Sequence, residues 1–384
     1  MIMNIQLLNK IAAVGLAELD DSYNVGENIE NPDGIMVRSA VMHEMEFAPS
    51  LKAIARAGAG VNNIPIERCS ESGIVVFNTP GANANGVKEL AICALLLAAR
   101  DIVGGIAWAN TLTEDVAKQV EKGKSKFAGT ELMGKTLGVI GLGAIGGKIA
   151  NTAIHLGMNV IGCDPFLSIE GAWNLNHRVS RAATYDEVFE KSDYITLHVP
   201  ATKDTKNMIC AESIAKMKNG VKIINLSRAD LVNAAELKAA LAEGKVSSYV
   251  TDFPPEEVIN TPGVVAIPHL GASTEESEDN CAVMAARELD DYLRNGNIKN
   301  SVNYPNVEMP RSGAARICVL HQNVPSILTK ITAAVADEGL NIENMTNKSK
   351  GENAYTVLDV SSTPSDDAIA RIASVEGINR VRVI

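Results

Sequence analysis

Three side chains of complementary chemistry each follow an apolar run in the second half of the chain: Arg228 after KIINLS, Glu257 just beyond YVTDFPPE, and His269 closing VVAIP. Histidine is the side chain best matched to proton transfer near neutral pH. A carboxylate partner fixes its tautomer and favours the imidazolium, and a guanidinium grips a carboxylate through two parallel hydrogen bonds. Together the three suit hydride exchange at a 2-hydroxy acid: His269 takes the hydroxyl proton, Glu257 supports His269, and Arg228 holds the acid and polarises the oxygen at C2. No metal site is indicated.

Such residues meet only if their strands run the same way. Apolar runs at Tyr194–Val199, Val221–Leu226, Ser248–Asp252 and Val264–Ile267 join two earlier ones, Thr136–Ile140 and Asn159–Cys163, with helical segments between them. Six such strands predict a doubly wound parallel sheet, whose ligands lie outside the carboxyl ends of the strands. The first strand discharges into Gly141-x-Gly143-x-x-Gly146. The first glycine permits the turn, the second lets backbone approach a pyrophosphate, and the third allows helix and strand to pack closely. Asp164 ends the next strand 23 residues after Gly141, placed to accept hydrogen bonds from a ribose 2′-hydroxyl and to repel a 2′-phosphate. The expected cofactor is NAD rather than NADP.

The chain has 384 residues, net charge −11 and six cysteines without a CxxC pair. Its length predicts two or three domains. The acidic balance argues against a nucleic-acid or membrane-surface partner. Scattered cysteines in apolar runs suit reduced thiols, and the longest apolar stretch, Leu90–Ala99, is too short to span a bilayer, so a cytoplasmic location is expected.

Residues 1–92 show a second strand/helix alternation, with GIMVRS, LKAIARAG and GIVVFNTP as strands, and Val87–Trp108 reads as one connecting helix. Glu275–Leu293 reads as a helix returning to this part. The reading is a discontinuous flavodoxin-like substrate domain, 1–92 plus 274–304, into which a Rossmann-type domain, 93–273, is inserted, with substrate in the cleft between them. Residues 305–314 lie in a stretch rich in Gly, Asn, Ser and Pro that has linker composition. Residues 315–384 follow a βαββαβ order, the ferredoxin-like pattern, with Pro325 in a first helical turn and Ser365 as an N-cap.

The motifs VRSA (37–40), RAGAGVNN (56–63), NTPGANANGVKEL (78–90), GKTLGVIGLGAIG (134–146), LHVPAT (197–202), NLSRADLVN (225–233) and PHLGAST (268–274) identify a resemblance over nearly the whole chain. It resembles the D-isomer-specific 2-hydroxyacid dehydrogenases, and within them most closely members that oxidise 3-phospho-D-glycerate and carry a C-terminal ACT domain. The resemblance implies the same roles for Arg228, Glu257 and His269. It further implies that Ala144, Ile145, His198, Val199, Pro200, Thr205, Leu226, Ser227, Asp252 and Ala272 line the NAD site with the glycines, Asp164, Arg228 and His269. Three positions depart from the family: Ala229 stands where glycine is usual, Asn233 where aspartate is usual, and Pro254 where an aromatic or aliphatic residue is usual. Ala229 would shift Arg228 if that turn needs positive φ.

For substrate, bare amides at Gly58 and Gly60 suit a carboxylate, while Arg38 and Arg56 at strand ends suit a phosphate, with Ser39 and Asn83 orienting the ligand. Lys124 and Lys126 are candidates to add charge from a neighbouring subunit of a homodimer or homotetramer. His321, Asn323 and Asn341 resemble the residues with which paired ACT domains bind L-serine. The expected reaction is NAD-dependent oxidation of 3-phospho-D-glycerate to 3-phosphohydroxypyruvate, the first step of L-serine biosynthesis. The alternatives are a hydroxypyruvate, glyoxylate or 2-oxoglutarate reductase, and a non-enzymatic NAD-sensing protein.

Overall fold

A computed structural model describes residues 2–384. The chain forms two compact units, residues 83–277 and residues 1–82 with 278–384.

The first stretch of the discontinuous unit contains β1 (Met3–Leu7), α1 (Ala13–Leu16), β2 (Tyr23–Gly26), β3 (Gly34–Val37), β4 (Ala53–Arg56), α2 (Ile66–Glu71) and β5 (Val75–Phe77). The strands form an all-parallel sheet in the order β2-β1-β3-β4-β5, the flavodoxin-like arrangement. β3 and β5 are buried throughout, as strands covered on both faces must be.

The continuous unit contains α3 (Ala84–Ala99), α4 (Ile102–Ala109), α5 (Val116–Gly123), β6 (Thr136–Ile140), α6 (Gly146–His155), β7 (Asn159–Cys163), α7 (Ile169–Trp173), β8 (Val179–Arg181), α8 (Tyr185–Lys191), β9 (Tyr194–Leu197), α9 (Ala211–Lys216), β10 (Val221–Asn225), α10 (Ala234–Ala242), β11 (Val246–Thr251) and β12 (Val264–Ala266). All of its strand pairs are parallel, in the order β8-β7-β6-β9-β10-β11-β12. The sheet has seven strands, not the six expected: β8 is short and half-exposed, so it leaves no apolar run to read. The expected helix Val87–Trp108 is two helices bent by 73°. The break falls at Arg100–Asp101, where Asp101 accepts from the Gly104 amide and starts α4 afresh. Among the described residues no single helix is long and apolar enough to cross a membrane.

The chain returns through α11 (Glu275–Asn295) and ends in β13 (Ala315–Gln322), α12 (Ile327–Asp337), β14 (Ile342–Lys350), β15 (Asn353–Val360), α13 (Asp366–Ala373) and β16 (Ile378–Val383). The last four strands form an antiparallel sheet, β14-β15-β13-β16, the ferredoxin-like order. Ser365 caps α13 by accepting from the Ala368 amide. Pro325 lies outside α12, because Ser326 with φ of 65° is its N-cap.

The expected linker does not behave as one. Ile298, Tyr304, Val307 and Met309 are buried with Ile5, Phe77 and Tyr292 of the first sheet and α11, and with Cys318, Leu320, Tyr355 and Val357 of the last sheet, in a single core. The opposite face of that last sheet, Ile317, Val319, Leu358 and Val360, packs on Ile327, Ile331, Val335 and Ile372 of α12 and α13. Residues 278–384 thus fold as one body with the first sheet. Fully buried Arg316 and Asp359, paired at 2.6 Å across β13 and β15, reinforce it: Arg316 also donates to the carbonyls of Asn295, Met309 and Pro310.

Candidate active site

The carboxyl edge of the seven-stranded sheet gathers most of the expected site residues. The chain reverses its winding between β6 and β9, and there the glycine turn follows β6. Gly141 has φ of 88°, and a Cβ on it would sit 2.5 Å from the His198 carbonyl oxygen. A Cβ on Gly146 would lie 1.9 Å from the Gly141 carbonyl oxygen, whereas one on Gly143 would meet nothing within 4 Å. The three positions therefore serve turn, open approach and close packing, which is what a pyrophosphate at a helix N-terminus requires. Ile145 is the N-cap of α6, and Ala144 is exposed beside it.

Asp164 is held by two amides: Leu142 N–H donates to Oδ2 and Phe166 N–H to Oδ1, both at 2.9 Å. The carboxylate is thus fixed at the end of β7, beside the glycine turn. Among the described residues its neighbours Pro165 and Phe166 bring no cation, in keeping with a 2′-hydroxyl partner.

Past β9, His198 Nε2 lies 2.7 Å from Thr196 Oγ1 while Nδ1 is buried without a partner. Burial pulls its pKa down to about 3, so His198 is neutral and unfit as the base. Val199 borders Gly141. Thr205 donates to the Pro200 carbonyl at 2.6 Å and accepts from the Thr202 amide, which closes the loop after β9. Leu226 is buried, and Ser227 donates to the Leu197 carbonyl at 2.6 Å. Ala272 is half-buried in the turn after His269.

Arg228 is exposed, in extended backbone just before a single 3-10 turn, Ala229–Leu231. Ala229 therefore has no positive φ and imposes no strain on the arginine. Asn233 accepts from the Glu236 amide and caps α10, as an aspartate would. The sequence reading missed Asn225: fully buried at the end of β10, it donates to the Arg228 carbonyl at 2.8 Å and lies 3.2 Å from the Tyr249 hydroxyl. It pins the backbone that carries the guanidinium.

Asp252 directly follows β11, its Oδ1 buried and unpartnered. Burial pushes its carboxyl up, and the charges of His269 and Arg228 pull it back. Orphaned Asp252 Oδ1 and His198 Nδ1 at one sheet edge are a donor–acceptor set suited to an amide-bearing ring such as nicotinamide. Phe253 adjoins two of the three groups, its ring centroid 4.2 Å from that of His269 and 5.4 Å from the Arg228 Cζ. Glu257 departs from expectation. It sits exposed in a 3-10 turn, Glu256–Val258, and its carboxylate makes no hydrogen bond with His269 among the described residues. Two prolines direct the chain between Phe253 and that turn.

In the other unit, Arg38 and Ser39 follow β3, and Asn9 Oδ1 accepts from the amides of residues 38, 39 and 40 at 2.9–3.0 Å, a support the sequence reading missed. Arg38 pairs with Glu278 at 2.6 Å. Arg56 donates to Asn63 Oδ1, and burial pulls its pKa down. A Cβ on Gly58 would lie 2.4 Å from Arg56 Nη1, so this glycine makes room for the guanidinium; Gly60 stands open beside it. Asn83 belongs to the continuous unit and precedes α3. Lys124 and Lys126 lie exposed in the 3-10 turn Lys124–Phe127, Lys124 paired with Glu121.

The three expected effector residues do not meet within the chain. His321 is buried, with Nε2 at 2.8 Å from Thr356 Oγ1 and Nδ1 at 2.8 Å from the Gln322 carbonyl. Burial holds its pKa down. Asn323 adjoins the end of β13 that pairs with Asn353, whereas Asn341 adjoins the end of β14 at Val360, the opposite end of the sheet.

Residues 95–271 match the NAD-binding domain of the D-isomer-specific 2-hydroxyacid dehydrogenases. A D-3-phosphoglycerate dehydrogenase of Haemophilus influenzae is 30% identical over 367 residues, 91% of this chain and 86% of that protein. The chain belongs to the D-isomer-specific 2-hydroxyacid dehydrogenase family. A D-3-phosphoglycerate dehydrogenase of Methanocaldococcus jannaschii is 35% identical over 88% of this chain, and one of Bacillus subtilis 36% identical over 76%. The chain spans 64% and 54% of those two relatives. An NAD+-bound 3-phosphoglycerate dehydrogenase structure from Entamoeba histolytica, 29% identical, superposes with a TM-score of 0.60 over 78% of this chain and 98% of that one. The glycine turn and Asp164 of this dehydrogenase-family chain thus lie inside the matched NAD-binding domain.

Proposed function

We propose that the protein is an NAD-dependent D-2-hydroxyacid dehydrogenase that oxidises 3-phospho-D-glycerate to 3-phosphohydroxypyruvate. The observation that carries the reading is the meeting of Arg228, Asp252 and His269 at the carboxyl edge of the NAD-binding sheet. Bound NAD supplies the hydride acceptor. His269 accepts the C2 hydroxyl proton as the C2–H bond breaks, and returns it in the reverse direction. Arg228 holds the substrate carboxylate through two hydrogen bonds and polarises the C2 oxygen. Glu257 favours the imidazolium formed on oxidation by its negative charge; this role needs it closer to His269 than it stands here. Arg38 and Arg56 hold the phosphate, the amides near Gly58 and Gly60 receive the carboxylate end, and Ser39 and Asn83 orient the ligand.

In the same reading the C-terminal sheet and its two helices are an ACT domain that binds L-serine between two copies of the chain. The placement of Asn323 and Asn341 at opposite ends of one sheet supports a pairing of two copies rather than a site within one.

A substrate panel followed at 340 nm with NAD and with NADP tests the assignment. Expected is turnover of 3-phospho-D-glycerate with NAD, no comparable rate with NADP, and a His269→Asn protein that binds NADH but loses turnover by orders of magnitude. Arg38→Ala should raise KM for the phosphorylated acid and spare glyoxylate. Near-normal activity of His269→Asn, or an equal effect of Arg38→Ala on both acids, refutes the respective role, and a flat response to millimolar L-serine refutes the effector.

A further inference from the structure

The His269 ring packs against an aromatic side chain, and its imidazole makes no hydrogen bond with a carboxylate among the described residues. The Phe253 and His269 rings are tilted by 48° with centroids 4.2 Å apart, and Arg228 Cζ lies 5.4 Å from the Phe253 centroid. The backbone on either side of Phe253 is held. Asp252 before it is 4% exposed, the Phe253 amide donates to Thr251 Oγ1 at 3.2 Å, and Pro254 and Pro255 restrict the backbone that follows. No hydrogen bond joins the Glu257 carboxylate to His269 among the described residues.

We propose that Phe253 is a positioning residue for the proton transfer, packing against the imidazole and standing within cation–ring reach of the guanidinium. The inference rests on the reading of His269 as the base. A tilted ring contact constrains the imidazole's rotation. The electron-rich face of an aromatic ring also attracts cations, and oxidation of a 2-hydroxy acid turns His269 into one beside a permanent positive charge, Arg228. A ring with a negative face thus stands within reach of both cations. Its benefit therefore grows between ground state and transition state, and such an interaction appears in kcat.

The test compares Phe253→Leu and Phe253→Tyr with the unaltered chain in 3-phospho-D-glycerate oxidation, with NADH affinity read by fluorescence titration. Leucine keeps bulk and removes the ring face; tyrosine keeps both. Expected for Phe253→Leu is a fall in kcat of about tenfold, the combined size of a ring contact and a cation–ring contact, with KM and NADH affinity close to those of the unaltered chain. Expected for Phe253→Tyr is recovery of most of that loss. Undiminished kcat in Phe253→Leu, equal impairment of the two variants, or a matching loss of NADH affinity each overturns the assignment. His269→Asn run in parallel separates the two readings: if it stays active the base is misassigned, and if it is inactive while Phe253→Leu is not, only the role of Phe253 falls. Should the unaltered chain not turn over this acid, the substrate reading fails alone and the same variants are read in glyoxylate reduction.

Discussion

Placing one methyl group at each of the three glycines of the turn gives three different results. At Gly143 a Cβ has open space around it, so Gly143→Ala should leave folding stability within about 0.5 kcal/mol of the unaltered chain, the usual range for surface changes. The same methyl stands where backbone must approach a pyrophosphate, and NADH affinity should fall about 10- to 100-fold, roughly 1.4–2.8 kcal/mol. At Gly146 the Cβ would lie 1.9 Å from the Gly141 carbonyl oxygen and 3.0 Å from its carbon. Backbone must move to relieve that, so Gly146→Ala should cost about 3 kcal/mol or more. At Gly141 the left-handed φ alone costs about 1–2 kcal/mol, and contact with the His198 carbonyl adds to it. Urea unfolding and NADH fluorescence titration on the same three proteins separate the effects. A Gly143→Ala protein that binds NADH normally, or a Gly146→Ala protein as stable as the unaltered chain, refutes the assignment of turn, approach and packing to these positions.

Other perturbations follow from buried charge. Arg316→Met leaves Asp359 buried without its partner and should cost about 3–5 kcal/mol in urea unfolding, with Arg316→Met/Asp359→Leu costing less than the single change; a loss under 1 kcal/mol for the single change counts against the pair as a clamp. Burial pushes the Glu288 carboxyl from 4.5 up to about 8, although Asn300 donates to it at 2.6 Å. The folded form then holds this proton more tightly than the unfolded chain, so the group's contribution to stability declines as pH rises between those values and levels off above. Glu288→Gln should remove that decline, so that the unaltered chain loses on the order of 4–5 kcal/mol relative to it between pH 4 and pH 9; unfolding curves with the same pH slope in both proteins refute it. Glu278→Gln frees Arg38 from its ion pair and should lower KM for the phosphorylated acid severalfold without changing that for glyoxylate; an unchanged KM for both removes Glu278 as a competitor for the guanidinium.

The glycine turn, Asp164 and the strand-end placement of Arg228 and His269 were legible because each depends on residue type at fixed spacing within one repeating unit of strand and helix. Contacts that depend on the path of a loop were not. Phe253 meets His269 from the loop that follows β11, and two prolines separate it from Glu257, whose carboxylate makes no hydrogen bond with His269 among the described residues. Composition misled at residues 305–314. Val307 and Met309 there are buried, and the Val307 amide and carbonyl bond those of Ile298, so a stretch that read as a linker is part of the core. Asn9, Asn225 and Glu278 gave no local signal, since the groups they hold are distant in sequence or belong to main chain.

The shared core of Tyr304, Cys318, Leu320, Tyr355 and Val357 has a practical corollary for dissection of the protein. Cutting the polypeptide at residue 310 would not release a tethered sensor from an intact catalyst. It would strip an oily seam from the flavodoxin-like half and leave Asn295, Met309 and Pro310 carbonyls without the guanidinium that now satisfies them. Within their unit the last seventy residues are joined to the first sheet by that core, not hung from it as a pendant piece.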